Sequence, residues 1–183
     1  REVERLRFNP ETESEFQSYF IQRSLARARW ATAIYLALVA VVTAINMRGT
    51  MYMTQAVVPH MRERRQGSIV NMSSVSAQRG GGVFGGSHYS AAKAAVLGYT
   101  KAAARELGPD NIRVNAICPS FIDTDITGGM LTPDKLQAIV ASVPMGRPGH
   151  AHEVAGCCLF LASDLASYVT GSEIDINGGS HIH

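Results

Sequence analysis

Tyr89 and Lys93 stand four residues apart at the head of an alanine-rich stretch, Tyr89-Ser90-Ala91-Ala92-Lys93, with strong helix propensity. On a helix that spacing puts both side chains on one face. A free phenol titrates near about 10, too high for a base at neutral pH. A neighbouring ammonium favours the phenolate, so the pair suits proton transfer. The same pair also occurs on many solvated helices. Upstream, Ser73 and Ser74 follow the apolar run Ser68-Ile69-Val70-Asn71-Met72. A serine hydroxyl presented from such a strand end can orient and polarise a carbonyl oxygen.

The elements around these residues are readable from pattern. Gly67 punctuates a turn, and residues 68–72 have the continuous apolar character of a strand covered on both faces. A glycine-rich loop leads to the Tyr89/Lys93 helix, which stops near Leu107-Gly108-Pro109. Residues 113–118 read as a second buried strand ended by Pro119, and residues 120–130 as a loop. Helices are expected over 133–140 and 151–162, and a last strand over 173–176, closed by Asn177-Gly178-Gly179. Strands alternating with helices imply an α/β fold with a parallel sheet and right-handed crossovers.

Four phrases in order resemble the short-chain dehydrogenase/reductase family: IVNMSS, YSAAKAAV, NIRVNAICPSFIDTDI and VPMGRPGHAHEVAGCCLFLASDLASYVTGSEIDINGG. The resemblance covers about residues 45–183 and leaves residues 1–44 outside the family. It implies the second half of a Rossmann-like, doubly wound parallel sheet, preceded by a hydrophobic helix. The family's glycine-rich dinucleotide turn after a first strand has no counterpart. The resemblance further implies hydride transfer between NAD or NADP and an alcohol or carbonyl substrate. Asn46 matches the asparagine that holds a relay water, though on its own it also reads as a helix N-cap. Ser74 matches the substrate-binding serine, while counting back from Tyr89 favours Ser76. Tyr89 matches the general acid/base, and Lys93 the residue that assists its ionisation and grips the nicotinamide ribose. Pro119, Ile122 and Thr124 match the segment at the nicotinamide end; Thr124 alone would pass as a helix cap. Family members are usually cytoplasmic homo-oligomers built on the Tyr/Lys helix and the last strand.

Gly80-x-Gly82-x-x-Gly85 formally matches a dinucleotide fingerprint. Such a fingerprint needs an acidic residue ending a strand about twenty residues on. That distance falls at Glu106, inside a helix, so the loop is better read as flanking the substrate. The stretches 76–88 and 123–132 would shape the substrate pocket.

The remaining composition excludes several classes. The 183 residues are 46% apolar with a net charge of +2, which argues against disorder and against a dedicated nucleic-acid surface. Cys118, Cys157 and Cys158 lack metal-ligand spacing and read as small buried thiols. His181 and His183 read as a solvated tail, so no metal is expected. The N-terminal segment carries Arg1, Arg5, Arg7, Arg23, Arg27 and Arg29, then the uncharged run Trp30–Ile45. As a helix that run is about 24 Å long, against roughly 30 Å for a bilayer's hydrocarbon core. It stands between a buried helix and a membrane attachment. The rival to an enzyme is therefore a truncated or fused remnant, oligomer-forming or membrane-attached, without turnover.

Overall fold

The computed structural model of the chain describes residues 10–81, 86–125 and 131–183. Arg1, Arg5, Arg7, Gly82, Gly85 and part of the expected 120–130 loop lie outside the described residues. The chain forms two compact units, Arg1–Val41 and Val42–His183.

The first unit is helical. Pro10 opens α1 (Pro10–Thr43) at a position where its missing N–H is not needed. The expected apolar helix is thus the second half of a much longer one. Its side chains Trp30, Ile34, Tyr35, Leu36, Leu38 and Val41 are exposed.

The second unit begins with a π-helical turn, Ala44–Arg48, followed by α2 (Gly49–Arg64). Arg65 ends α2 in the left-handed conformation, with its N–H on Met61 and Arg62 carbonyls. The chain then reverses so tightly that a Cβ on Gly67 would sit 2.6 Å from Met61 Sδ. Only glycine fits this approach without displacing Met61. Strand β1 (Gly67–Met72) follows, then α3 (Val75–Arg79) and α4 (Ser87–Leu107). β2 (Ile112–Pro119) runs parallel to β1 with Ile69 opposite Val114. β3 (Ile122–Asp123) and β4 (Gly149–His150) make a separate parallel pair around α5 (Pro133–Ala141). α6 (Ala151–Ala162) leads to β5 (Glu173–Ile176), which pairs parallel with β2.

The main sheet therefore has the order β1-β2-β5. Its alternating side chains divide the core. Ile69, Ile112 and Val114 pack with Val58, Ala103, Ala104 and Leu107 from α2 and α4. On the opposite face Val70, Ile117 and Ile174 pack with Val154 and Leu161 of α6. Full burial of Ile117 is worth about 1.5–3 kcal/mol. The parallel α/β architecture read from the sequence is present, with helices on both faces. Two local readings change. The stretch after β1 holds the short helix α3, and the 120–130 stretch holds β3, because Gly149 N–H donates to the Phe121 carbonyl at 3.0 Å.

Glu153 fixes the start of α6. It accepts two bonds from Arg147, at 2.9 and 2.7 Å, and one from His150 N–H at 2.7 Å. The Arg147 hydrogen bonds and the His150 N–H hold its carboxyl down to about 2. A carboxylate lowered on folding contributes stability that is present above its ordinary value and lost as pH falls through the lowered one. Glu153→Gln should therefore lower the denaturant midpoint at neutral pH, and the gap to the parent should close between about pH 4.5 and 2. A gap that stays constant over that range would show that the ionised carboxylate is not what α6 uses.

Candidate active site

The carboxyl end of β1 carries Ser73 and Ser74, and α4, packed against β1 and β2, is tied to that end of the sheet at Lys93. Among open α/β sheets this is where ligands bind. Ser73 prolongs β1, with its N–H on the Ile117 carbonyl at 2.9 Å. Its hydroxyl donates to the Lys93 carbonyl at 2.9 Å, tying the strand end to α4. Asn71 does the same about two turns further along α4, donating to Thr100 Oγ1 at 2.9 Å.

Ser74 is buried and caps α3, its Oγ accepting from Ser76 N–H at 3.2 Å. Accepting that bond leaves the Ser74 O–H available as a donor, whereas the Ser73 O–H is already committed. Ser76 lies in the first turn of α3 and is buried as well. Tyr89 and Lys93 share one face of α4, with Lys93 Nζ 5.8 Å from the centre of the half-buried Tyr89 ring. Lys93 is 8% exposed, and its Nζ donates to the Met72 carbonyl at 2.9 Å. Burial lowers the pKa of this ammonium. An ammonium has three donors, so two remain for a further partner. The sequence did not point to the Met72 carbonyl, since a backbone acceptor leaves no mark on residue type.

Asn46 occupies the π-helical turn before α2, which packs against α4. Its Nδ2 donates to the Val42 carbonyl at 2.9 Å, within a continuing helix. The N-cap alternative for Asn46 is thus replaced by a π-turn, a feature common at functional sites. Pro119 ends β2, where it stands opposite Ile176 of β5. Ile122 lies on β3, and Thr124 is exposed where the described segment stops. Ile122 thus belongs to the smaller sheet, and Thr124 follows its strand. Gly80 ends α3 at φ 71°, so the glycine motif follows a helix instead of a strand.

A cavity of about 220 Å³ lies at the ends of β2 and β5, between Ser120, Phe121, Val143, Met145 and Asn177. Tyr89, Lys93 and Ser74 do not line it. Cys118 is fully buried beside Ser73, and burial pushes its thiol up to about 11. Cys157 and Cys158 on α6, read as small buried thiols, are half-buried. Among the described residues no cluster of His, Cys, Asp and Glu could hold a metal ion.

Comparison with known proteins gives this arrangement a context. The enoyl-(acyl carrier protein) reductase family model matches residues 23–181. An uncharacterized short-chain type dehydrogenase/reductase of Sinorhizobium fredii is 57% identical over 142 residues, 78% of this chain and 56% of the relative. A 3-oxoacyl-[acyl-carrier-protein] reductase of Thermotoga maritima is 48% identical over 139 residues, 74% of this chain and 54% of the relative. The crystal structure of a 3-oxoacyl-[acyl-carrier protein] reductase with bound NAD from Brucella melitensis superposes with a TM-score of 0.69 at 40% identity. That match covers 76% of this chain and 50% of the neighbour. The chain spans about half the length of the relatives it matches.

Proposed function

This chain belongs to the short-chain dehydrogenase/reductase family, and from that premise we propose that residues 45–183 are the catalytic half of an NAD(P)-dependent oxidoreductase. Residues 1–44 form a separate N-terminal segment in this reading. The substrate class is a ketone or secondary alcohol, and the names of the relatives favour a 3-oxoacyl thioester. Tyr89 is the general acid in reduction: its phenol O–H gives a proton to the carbonyl oxygen, and in oxidation the phenolate takes that proton back. The bound nicotinamide supplies or accepts the hydride. Ser74 orients the substrate oxygen with its uncommitted O–H. Lys93 grips the ribose with the donors that the Met72 carbonyl leaves over, and Asn46 holds the relay water. Pro119, Ile122 and Thr124 line the nicotinamide end.

The observation that carries this reading is the buried Lys93, anchored at one donor and lying beside the Tyr89 ring. A buried ammonium is costly, and a structural ion would be expected to pair with a carboxylate; this one pairs with a strand-end carbonyl instead. Calorimetric titration of NADH and then NADPH into the folded chain tests the proposal. Saturable binding of one or both is expected. A folded chain that binds neither would remove the cofactor site.

A second reading rests on β1, which pairs with β2 on one side only among the described residues. An open edge strand is a template for another chain. In that reading the second unit is an oligomer-forming module without turnover, and absent cofactor binding would favour it.

A further inference from the structure

We propose that the Trp30–Ile45 stretch is embedded in lipid and tethers the chain to a bilayer with anionic headgroups. The inference concerns the N-terminal helix and does not rest on the catalytic reading. Trp30, Ile34, Leu36, Leu38 and Val41 are all more than half exposed, and Trp30 and Ile34 stand at 71% and 68%. With Tyr35, 52% exposed, these side chains spread over roughly 240° of the helix circumference at 3.6 residues per turn. A partner helix covers one stripe of about 100°, so a second copy would leave much of this surface in water. Lipid covers a helix from every side.

A polar group in the stretch is arranged to suit that solvent: Thr32 Oγ1 donates to the Ala28 carbonyl at 2.9 Å, one turn back. Within hydrocarbon, side-chain donors need such internal partners. No Asp, Glu, Lys or Arg occurs between Arg29 and Arg48. Arg23, Arg27 and Arg29 precede the run, and Arg23 stacks over the Tyr19 ring at 5.7 Å. Trp30, at the boundary between arginines and apolar residues, is the residue type that favours the headgroup level. The run is about 24 Å long, and arginine side chains snorkelling from both ends extend its reach toward the roughly 30 Å core. The arginines are what select an anionic surface.

Trp30 is the only tryptophan in the chain, so its fluorescence reports this segment alone. The full-length chain is mixed with phosphatidylcholine vesicles, with and without phosphatidylglycerol, and floated on a density gradient. We expect it to float, Trp30 emission to shift to the blue, and brominated acyl chains to quench it. Replacing Arg23, Arg27 and Arg29 together by glutamine should reduce partitioning into the anionic vesicles on the order of 100-fold. Ile34→Asp with Leu38→Asp should abolish flotation; both positions lie in the first unit, so circular dichroism can verify that the second stays folded. A parent chain that stays out of the floated fraction with unchanged emission overturns the proposal. So does a blue shift that needs no vesicles and follows protein concentration, which would assign the helix to a second copy.

Discussion

Replacing Tyr89 by phenylalanine should lower kcat by at least about 100-fold, and by up to about 10⁴-fold, because positioned general acid–base groups contribute in that range. The substitution removes one oxygen and keeps the ring. Lys93 Nζ lies over that ring, so the local packing and the cation–aromatic contact survive. Thermal stability and cofactor affinity should therefore change little while turnover collapses. The assay is nicotinamide absorbance with a 3-oxoacyl thioester, run on the chain itself and on a version joined to the first half of a full-length relative. The joined version separates a missing acid from a missing cofactor pocket. Turnover retained by the phenylalanine variant in either form would sink the assignment of Tyr89.

What the sequence made legible was what side-chain type encodes. Ile69, Val70, Val114, Ala116 and Ile117 lie in strands covered on both faces, and a continuous apolar run reports that directly. The Tyr89/Lys93 face followed from helical spacing alone. What stayed hidden depends on backbone groups and on distant partners. The Ser120–Asp123 stretch carries turn residues, yet Ile122 and Asp123 become a strand because Gly149 and His150 come alongside. Asn46 has the chemistry of an N-cap, but the helix does not start there: α1 arrives from Pro10 and passes into the π-turn. Pro10 followed by acidic residues suits a helix start, and α1 does begin there; the mostly polar residues 10–29 did not show that this helix continues unbroken into Trp30–Ile45. Ser73 and Ser74 are adjacent and chemically identical. Only the bond from Ser73 to the Lys93 carbonyl distinguishes a structural hydroxyl from one with a donor to spare.

Lys93→Met should separate catalysis from folding in the opposite way, by removing a charge that the fold tolerates at a cost. Turnover should drop more than about 100-fold, and cofactor affinity should weaken as well, which Tyr89→Phe does not do. Stability at neutral pH should move by no more than about 1 kcal/mol, because two effects oppose each other. The Met72 carbonyl loses its donor, while the desolvation of a buried ammonium disappears. The pH dependence identifies the second effect. Burial lowers the Lys93 pKa on folding, so the unfolded chain binds this proton more tightly. The parent's stability should then rise as pH climbs from the lowered native value through the ordinary 10.5, and the methionine variant should lack that rise. Denaturant midpoints of both proteins across the alkaline range check the sign. Parallel pH profiles would mean that the ammonium is stabilised in its pocket as well as it is in water, so its place beside Tyr89 would need no functional explanation.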